Sequence, residues 1–235
     1  METEEYHSMR LFEDDYWWYR SLRSVVAENL PDARSVLDAG CGTGGMLKEI
    51  ANKKVVGIDS SPYALTHTRE RGFDLVVRGS VDALPFASES FDAVLCLDVL
   101  YHRGVTDDGA AVKELARVLH PGGKVILHAP AYGWLHGSHD EMVHGARRYT
   151  TKRVGELVRG AGLEICKLSY RNLAALPAAI VSRRFLPGRS GSDLAPLPGW
   201  LNKVLLGISL FENRILRTVS LPAGLSVFCI AKKPL

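Results

Sequence analysis

The chain has 235 residues, of which 46% are hydrophobic and 23% are charged, and its formal net charge is +3. This balance is that of a globular protein with enough apolar residues for a core, so it excludes a disordered chain and one that depends on disulfide or metal staples. The net charge is too small to indicate a nucleic-acid partner by itself.

The N-terminal stretch and the cysteines bear on cellular location. Residues 1–15 are acidic and aromatic and lack the apolar segment of a signal peptide. No run reaches the roughly 18 apolar residues of a membrane span. The cysteines are far apart and form no CxxC pair, which predicts buried free thiols and no metal site; they are Cys41, Cys96, Cys166 and Cys229. We therefore predict a cytoplasmic protein with one domain.

Strand-like and helix-like patterns alternate along most of the chain. After a helical stretch over residues 2–29, strands are predicted at 35–38, 54–59, 74–77, 91–97, 124–129, 164–170 and 226–231. Helices are predicted at 44–52, 62–71, 107–119 and 150–161. This alternation predicts an α/β fold with a mainly parallel sheet and right-handed crossovers.

The alternation stops over residues 172–222, which contain five prolines and two helical patches near 174–185 and 200–219. We interpret this stretch as a helical insertion before the last strand. Residues 167–217 carry eight Lys or Arg residues against two acids. Such a segment could contact an anionic membrane surface, receive a lipid-like substrate, roof a substrate pocket, form a dimer face or be a solvated face.

A glycine-rich turn follows the first predicted strand, over the segment Asp38–Gly44. Glycines at such a turn let a ligand approach the main chain, and the following helix offers unpaired N–H groups. Asp59 ends the second strand, where a carboxylate can accept hydrogen bonds from ribose hydroxyls. Gly40, Gly42 and Gly45 also match the dinucleotide pattern G-x-G-x-x-G, so an NAD-dependent reductase stays open at this point.

The same segment resembles motif I, D-x-G-x-G-x-G, of the class I S-adenosylmethionine-dependent methyltransferases. Further segments resemble the other motifs of this family in the same order; they are Gly57–Asp59, Gly79–Phe86, Ser90–His102 and Glu114–Gly123. The resemblance covers about residues 33–170 and gives Asp82–Phe86 a role that a dinucleotide fold lacks. Two more segments resemble a bacterial subset of small-molecule methyltransferases; they are His7–Met9 with Glu13–Arg20, and His139–Glu141 with His144 and Arg147–Thr150.

The fold that this resemblance implies is Rossmann-like, with seven strands in the order 3-2-1-4-5-7-6 and an antiparallel last strand. Residues 224–233 then form that strand, inserted between the fifth and sixth strands. The core that binds the cofactor spans residues 33–170. Residues 1–30 form an N-terminal helical lid, and residues 172–222 form a cap.

The implied cofactor is S-adenosyl-L-methionine, which leaves as S-adenosyl-L-homocysteine. The resemblance places Gly40, Cys41 and Gly42 along its methionine and ribose portion, while Asp38 orders the loop or meets the amine through water. Asp59 is expected at the ribose, and Ser60 near the adenine. Asp82 and Ala83 are expected at the adenine edge, and Leu97 and Asp98 near the sulfonium. In the lid, Trp17 is expected to cover the cofactor and Arg20 to pair with its carboxylate. The alternative is that the aromatic residues of this segment simply pack on the domain.

Methyl transfer is an in-line displacement that depends on alignment and, for a protonated acceptor, on a base. The candidate bases are His102, His139 and His144, and the candidate substrate residues are Tyr101, Arg147, Arg148 and Tyr149. Each of these histidines and arginines also has a purely structural interpretation.

We therefore predict methyl transfer to an O or N atom of a small natural-product, sugar or lipid-like acceptor, by a monomer or homodimer. The alternatives are a cofactor-binding regulatory module and a peptide or protein N-methyltransferase. A nucleic-acid substrate is disfavoured, because residues 97–100 form no N-P-P-Y-like tetrad and no basic domain is appended.

Overall fold

A seven-stranded sheet organises the protein, whose computed structural model describes residues 3–30, 32–185 and 197–235. The strands are β1 (Ser35–Ala39), β2 (Lys54–Asp59), β3 (Val76–Arg78), β4 (Phe91–Leu97), β5 (Leu119–Pro130), β6 (Glu164–Arg171) and β7 (Ser226–Lys232). Their order is β3-β2-β1-β4-β5-β7-β6. Neighbours from β3 to β5 pair in parallel, whereas β7 pairs antiparallel with both β5 and β6. The predicted fold class, strand order and place of the last strand are confirmed.

Helices connect the strands and cover both faces of the sheet. They are α1 (Thr3–Phe12), α2 (Trp17–Asn29), α3 (Gly45–Glu49), α4 (Pro62–Glu70), α5 (Asp108–Val118), α6 (Ser138–Met142), α7 (Thr151–Gly160), α8 (Leu176–Phe185) and α9 (Gly199–Leu216). The predicted helix at 44–52 is shorter in the structure, because the chain turns at Ile50, whose carbonyl accepts from the Lys53 N–H at 3.0 Å. No helix within the described ranges is long and apolar enough to cross a bilayer.

Side-chain caps fix where several helices begin. Ser61 accepts from the Ala64 N–H at 3.3 Å, and proline follows at the first helical position of α4. Thr150 accepts from the Arg153 N–H at 3.2 Å at the start of α7. These caps are short-range features, which is why the sequence located these two starts to within one residue.

The core has two layers, one on each face of the sheet. One layer packs α5 and α7 against the strands, with Leu115 and Val158 fully buried. The other packs α2 and α3 against the opposite face, with Val26 and Ile50 buried. Strand β4 lies between the two layers and is buried on both faces from Ala93 to Cys96, as expected for a central parallel strand.

The cysteines are all free, but one of them is not buried as predicted. Cys41, Cys96 and Cys229 lie in the interior, whereas Cys166 is exposed. Strand β6 is at the sheet edge, and its register against β7 shifts between Ile165 and Lys167. Cys166 is therefore the extra residue of a bulge on an edge strand, where side chains face solvent.

We expect the cap of α7 to contribute measurably to stability. Thr150→Ala removes the side-chain acceptor and should lower the free energy of unfolding by about 1 kcal/mol in urea denaturation. Thr150→Ser keeps the acceptor and serves as the matched control, with an unfolding midpoint close to that of the original protein. Equal destabilisation by both substitutions would contradict the capping role.

Candidate functional site

The carboxyl ends of β1, β2 and β4 meet at one edge of the sheet, where the glycine loop lies. Gly40, Gly42 and Gly44 have φ angles of +92°, +53° and +86°. Residues other than glycine rarely adopt angles near +90°, so Gly40 and Gly44 require glycine, and a Cβ on Gly40 would also collide with Val99. The N–H groups of Gly40 and Cys41 both donate to the Ile58 carbonyl, at 2.7 and 3.0 Å. This edge is where open α/β sheets bind ligands.

Asp59 joins the end of β2 to the glycine loop. One carboxylate oxygen accepts from the Gly42 N–H at 3.0 Å, and the other accepts from the Ser61 N–H at 2.9 Å. Burial raises the pKa of Asp59, and these two hydrogen bonds partly oppose that shift. A carboxylate offers about four lone-pair sites, so Asp59 can accept further hydrogen bonds from a ligand. Ser60 follows it directly, and its carbonyl accepts from Arg78 at 3.3 Å.

Asp38 is a buried carboxylate with an unsatisfied oxygen. Asp38 is the next-to-last residue of β1 and is 2% exposed. Its Oδ2 has no hydrogen-bond partner among the described residues. Burial, followed by the charges of Asp59 and Glu13, raises the pKa of Asp38 to about 7. A buried acceptor without a partner is costly, so it indicates a place where a donor is expected to bind.

One carboxylate oxygen of Asp82 is hydrogen-bonded within the protein, and the other is available to a ligand. Its Oδ2 accepts from the N–H and the hydroxyl of Thr106, at 3.1 and 3.3 Å. Its Oδ1 is buried and without a partner in the part of the chain that the structure describes. The next residue, Ala83, is exposed. Asp82 therefore holds the loop before α5, and its other oxygen fits a donor such as an adenine amino group.

The N-terminal segment lies directly over the glycine loop. A Cβ placed on Gly42 would lie 2.9 Å from the methyl carbon of Met9, and a Cβ on Gly45 would collide with the Glu13 carboxylate. Glu13 is 4% exposed and accepts from the Thr43 hydroxyl and from Arg71, the latter at 2.6 Å. The N-terminal segment is thus in contact with the glycine loop, and its role as a lid over the cofactor stays a prediction.

Ion pairs and backbone contacts hold residues 3–16 over the glycine loop, and we call this segment the N-terminal cover. Asp14 pairs with Arg71 at 3.0 Å, and Arg23 donates to the backbone carbonyls of Glu13 and Asp14, at 2.5 and 3.1 Å. Nearer the start of α1, Tyr6 is buried, and burial together with the Asp59 charge raises the pKa of Tyr6 to about 12. The cover therefore closes on the site through buried polar contacts as well as apolar ones.

At the start of α2, Trp17 anchors the helix and Trp18 contacts a histidine at the edge of the sheet. Trp17 is 9% exposed, and its backbone N–H donates to the side-chain oxygen of Asn202 at 2.9 Å. The Trp18 ring meets the His128 ring edge-on, with centroids 6.1 Å apart. Arg20 is exposed, so the structure does not bring it among the buried acids of the site.

An Asp–His pair that the sequence did not reveal lies at the ends of β4 and β5. His128 is 1% exposed and its Nδ1 lies 2.9 Å from the Asp98 carboxylate, while its buried Nε2 has no partner among the described residues. Burial opposes the charged form of Asp98, but His128 and Arg171 hold the pKa of that carboxyl below its usual value. Leu97, beside Asp98, pairs in register with His128. The paired carboxylate orients the imidazole and leaves Nε2 as its second functional atom.

Arg171 is the second buried group that sequence reasoning missed. It ends β6, is fully buried, and donates to the Ser21 hydroxyl at 2.7 Å and to the Asn213 side chain at 3.1 Å. Burial lowers the pKa of Arg171 to about 10, against the opposing charges of Glu212 and Asp98. Arg171 thus joins the sheet edge to α2 and α9.

The predicted histidines have other surroundings. The His102 ring stacks on Tyr101 with centroids 4.2 Å apart, and its Nδ1 lies 2.7 Å from the Val143 carbonyl. Burial lowers the pKa of His102 to about 4, so it is neutral at pH 7 and a weak base. His144 is half-buried with φ +54°, and its carbonyl accepts from Arg103 at 2.8 Å. His139 lies in α6, and its side chain is outside the described residues.

The predicted substrate residues mostly hold the loop after β5. Arg148 is 6% exposed and bidentate on Asp140, at 2.8 and 3.0 Å, and it donates to the Ala131 carbonyl at 2.9 Å. These contacts make Arg148 an anchor of the loop after β5, and its role toward a substrate stays a prediction. The buried Tyr149 donates to the Leu100 carbonyl at 2.9 Å, so it too supports the loop. Arg147 donates to the Val105 carbonyl at 2.7 Å and keeps part of its side chain exposed.

Comparison with known proteins finds similarity to methyltransferases. Residues 37–127 match the family model described as a methyltransferase domain, a span that runs from β1 into β5. A probable tRNA methyltransferase 9B of Mus musculus is 31% identical over 136 residues, which cover 54% of this chain and 30% of that protein. The cycloartenol-C-24-methyltransferase of Arabidopsis thaliana is 33% identical over 182 residues, which cover 69% of this chain and 52% of that enzyme. The chain thus spans about half or less of these relatives.

Among solved structures, the chain is similar to a SAM-dependent methyltransferase, possible histamine N-methyltransferase, of Thermotoga maritima. The TM-score is 0.65 at 23% sequence identity, and the match covers 98% of this chain and 95% of that one. At this identity the likeness establishes the fold.

The raised pKa of Asp38 predicts a pH-dependent stability. The folded chain binds the Asp38 proton more tightly than the unfolded chain, whose carboxyl titrates near the ordinary value of 3.8. The stability that Asp38 contributes is therefore complete below that pH and is lost as the pH rises through about 7. Asp38→Asn does not lose stability in this way. Its free energy of unfolding should therefore rise relative to that of the original protein between pH 5 and pH 8.

Urea unfolding at several pH values measures this difference. Asp74→Asn, which removes an exposed carboxylate near β3, is the matched control. A difference between the Asp38→Asn variant and the original protein that stays constant from pH 5 to pH 8 would show that Asp38 does not titrate there.

Proposed function

We propose that the chain is a class I S-adenosylmethionine-dependent methyltransferase that transfers a methyl group to an oxygen or nitrogen atom of a small molecule. Its cofactor is S-adenosyl-L-methionine. The observation that carries the proposal is the pair of buried, unsatisfied carboxylate oxygens on Asp38 and Asp82, beside a glycine loop that Asp59 holds.

These residues fit the donor groups of the cofactor. Asp59, with its remaining lone pairs, would hold the ribose hydroxyls, and the free oxygen of Asp82 would accept from the adenine amino group. Asp38 would meet the ammonium of the methionine portion, which favours the ionised carboxylate. Gly40 and Gly42 would let the ligand lie against the main chain.

The N-terminal cover gives the site its isolation from water. The contacts of Met9 and Glu13 with the glycine loop close the site in this structure, so cofactor entry requires α1 to move. Closure then excludes water, which strengthens electrostatic interactions within the site. Trp18 extends the cover from the glycine loop to His128.

The reaction itself needs alignment and, for a protonated acceptor, a base. The bound cofactor supplies the methyl group, which passes from sulfur to an acceptor lone pair in an in-line displacement. His128 Nε2 would take the proton that the acceptor oxygen or nitrogen loses, and Asp98 would stabilise the imidazolium that forms. His102 is a weaker candidate for this step, since burial lowers its pKa to about 4.

The buried position of His128 favours a small acceptor. Its Nε2 is buried and the Trp18 ring meets the imidazole edge-on, so the reacting atom must enter an enclosed space. We place the acceptor between residues 131–150, the N-terminal helices and the 172–222 insertion. The similar proteins named above bear the names of tRNA and sterol methyltransferases, so their names point to no common acceptor.

Two other functions would use the same cofactor site. A regulatory module would bind S-adenosylhomocysteine and turn over no acceptor, whereas a peptide N-methyltransferase would accept an N-terminal amine. Turnover in a screen of phenols, alcohols, amines and short peptides, measured as S-adenosylhomocysteine release, separates these functions.

Isothermal titration with S-adenosylhomocysteine tests the cofactor site. We expect micromolar binding to the original protein and a loss of about tenfold or more for Asp59→Ala, since a charge-assisted hydrogen bond is removed. Asp74→Ala, an exposed aspartate, is the matched control, and NADH is the control ligand. Because Asp59 also orders Gly42, the variant Asp82→Asn provides a second test that leaves that contact intact. Full affinity in both variants, or binding of NADH instead, would refute the proposed site.

Substitution of the two buried histidines tests the proposed base. His128→Gln should lower turnover of an acceptor found in the screen by about 100-fold or more, without changing S-adenosylhomocysteine affinity. His102→Gln should cost much less, because a pKa of about 4 makes His102 a weak base that contributes little to proton transfer. The reverse ranking in steady-state kinetics would assign the proton transfer to His102.

A further inference from the structure

Helix α9 presents a row of large apolar side chains to solvent. Its outer stripe consists of Trp200, Val204, Ile208, Phe211 and Ile215, with exposed fractions of 69%, 49%, 43%, 64% and 37%. The spacings of four, four, three and four residues place all five on one side of a helix about 27 Å long. A continuous exposed apolar row of this kind marks an interaction surface.

The opposite side of α9 is fixed to the protein, so this stripe cannot turn inward. Leu206, Ser209 and Leu216 are buried against the domain. The Asn202 side chain accepts from the Trp17 N–H and donates to the Asp15 carbonyl, both at 2.9 Å. The buried Asn213 donates to the Ser21 carbonyl at 2.8 Å. These directional contacts set the rotation of the helix and hold the outer stripe toward solvent.

The charges exposed on α9 are all basic. Lys203 and Arg214 are exposed and eleven residues apart, which is about three turns, so they lie on the same flank of the stripe. The single acid of the helix, Glu212, is 7% exposed and accepts from the N–H groups of Asn172 and Ala174. The helix thus combines an apolar row, two exposed aromatic rings and a cationic flank.

We propose that the outer stripe of α9 docks on an anionic lipid bilayer. Trp200 and Phe211 would insert at the level of the headgroups, where aromatic rings are favoured, and Lys203 and Arg214 would meet the lipid phosphates. The helix lies along the surface in this arrangement and does not span the bilayer.

Charge complementarity favours a lipid surface over a second copy of the chain. A second α9 would bring another pair of cations and no exposed acid of its own, since Glu212 is turned inward. An anionic bilayer neutralises both cations and accepts the apolar row. Docking would also place the membrane beside the N-terminal cover, because Asn202 of α9 holds the start of α2.

Flotation of the full chain with vesicles tests this proposal. We expect binding to phosphatidylcholine vesicles that contain roughly 30% phosphatidylglycerol, weaker binding at high salt, and little binding to phosphatidylcholine alone. The variant Trp200→Ala/Phe211→Ala should lower partitioning by about tenfold or more, since two large apolar side chains no longer insert. Lys203→Glu/Arg214→Glu should lower it by at least about fivefold per reversed charge.

Matched variants on other surfaces control for general loss of hydrophobicity or charge. Leu75→Ala/Val77→Ala removes exposed apolar side chains at β3, and Lys113→Glu/Lys152→Glu reverses two exposed cations on α5 and α7. Both should partition like the original protein. Thermal unfolding and S-adenosylhomocysteine affinity should be unchanged in all four variants, which keeps this test separate from that of the cofactor site.

Three outcomes would overturn the proposal. One is the absence of binding to anionic vesicles by the original protein, and another is equal binding by the Trp200→Ala/Phe211→Ala variant. The third is a dimer in light scattering that this variant abolishes, without any vesicle binding, which would assign the stripe to a second copy of the chain.

Discussion

The grouping of one buried and two half-buried carboxylates at one edge of the sheet is the constraint on which the rest of the structure depends. Parallel strands that end together bring Asp38, Asp59 and Asp98 to the same edge, and burying charges there costs free energy unless each is paired or bonded. The protein meets this cost unequally. Asp98 has His128, and Asp59 has two backbone N–H groups, whereas an oxygen of Asp38 is left without a partner among the described residues. Asp38 therefore has an acceptor that a ligand can satisfy, whereas Asp59 both supports the glycine loop and keeps lone pairs for a ligand.

The outer layers follow from the same constraint. Glu13 brings α1 onto the glycine loop through Thr43 and Arg71, and Arg171 links the sheet edge to α2 and α9. Each link uses directional polar contacts, so the cover and the insertion have fixed orientations over the site. A cover held by such contacts can open without losing the core, because its polar groups regain water when they separate.

The sequence predicted the sheet well because its signals are local. The alternation of apolar runs and helices, the caps at Ser61 and Thr150, and the glycine loop each depend on residues close together in the chain. The pairing of Arg148 with Asp140 was not predicted, because Asp140 lies eight residues away in the short helix α6 and no periodic signal links the two residues. His128 was missed for a related reason, since its pairing with Asp98 depends on the register of β4 against β5.

The sequence by itself therefore predicted the α/β fold and a resemblance to class I methyltransferases, through motifs whose residues act within one strand, turn or helix start, and that resemblance implied the strand order that the structure confirms. Tertiary structure decided that His128 pairs with Asp98, that Arg171 is fully buried, and which side of α9 faces solvent. Those properties belong to pairs of residues from separate strands, helices and loops. Burial and charge pairing fix such pairs only after the sheet has assembled, because the free energy of each group depends on neighbours that are distant along the chain.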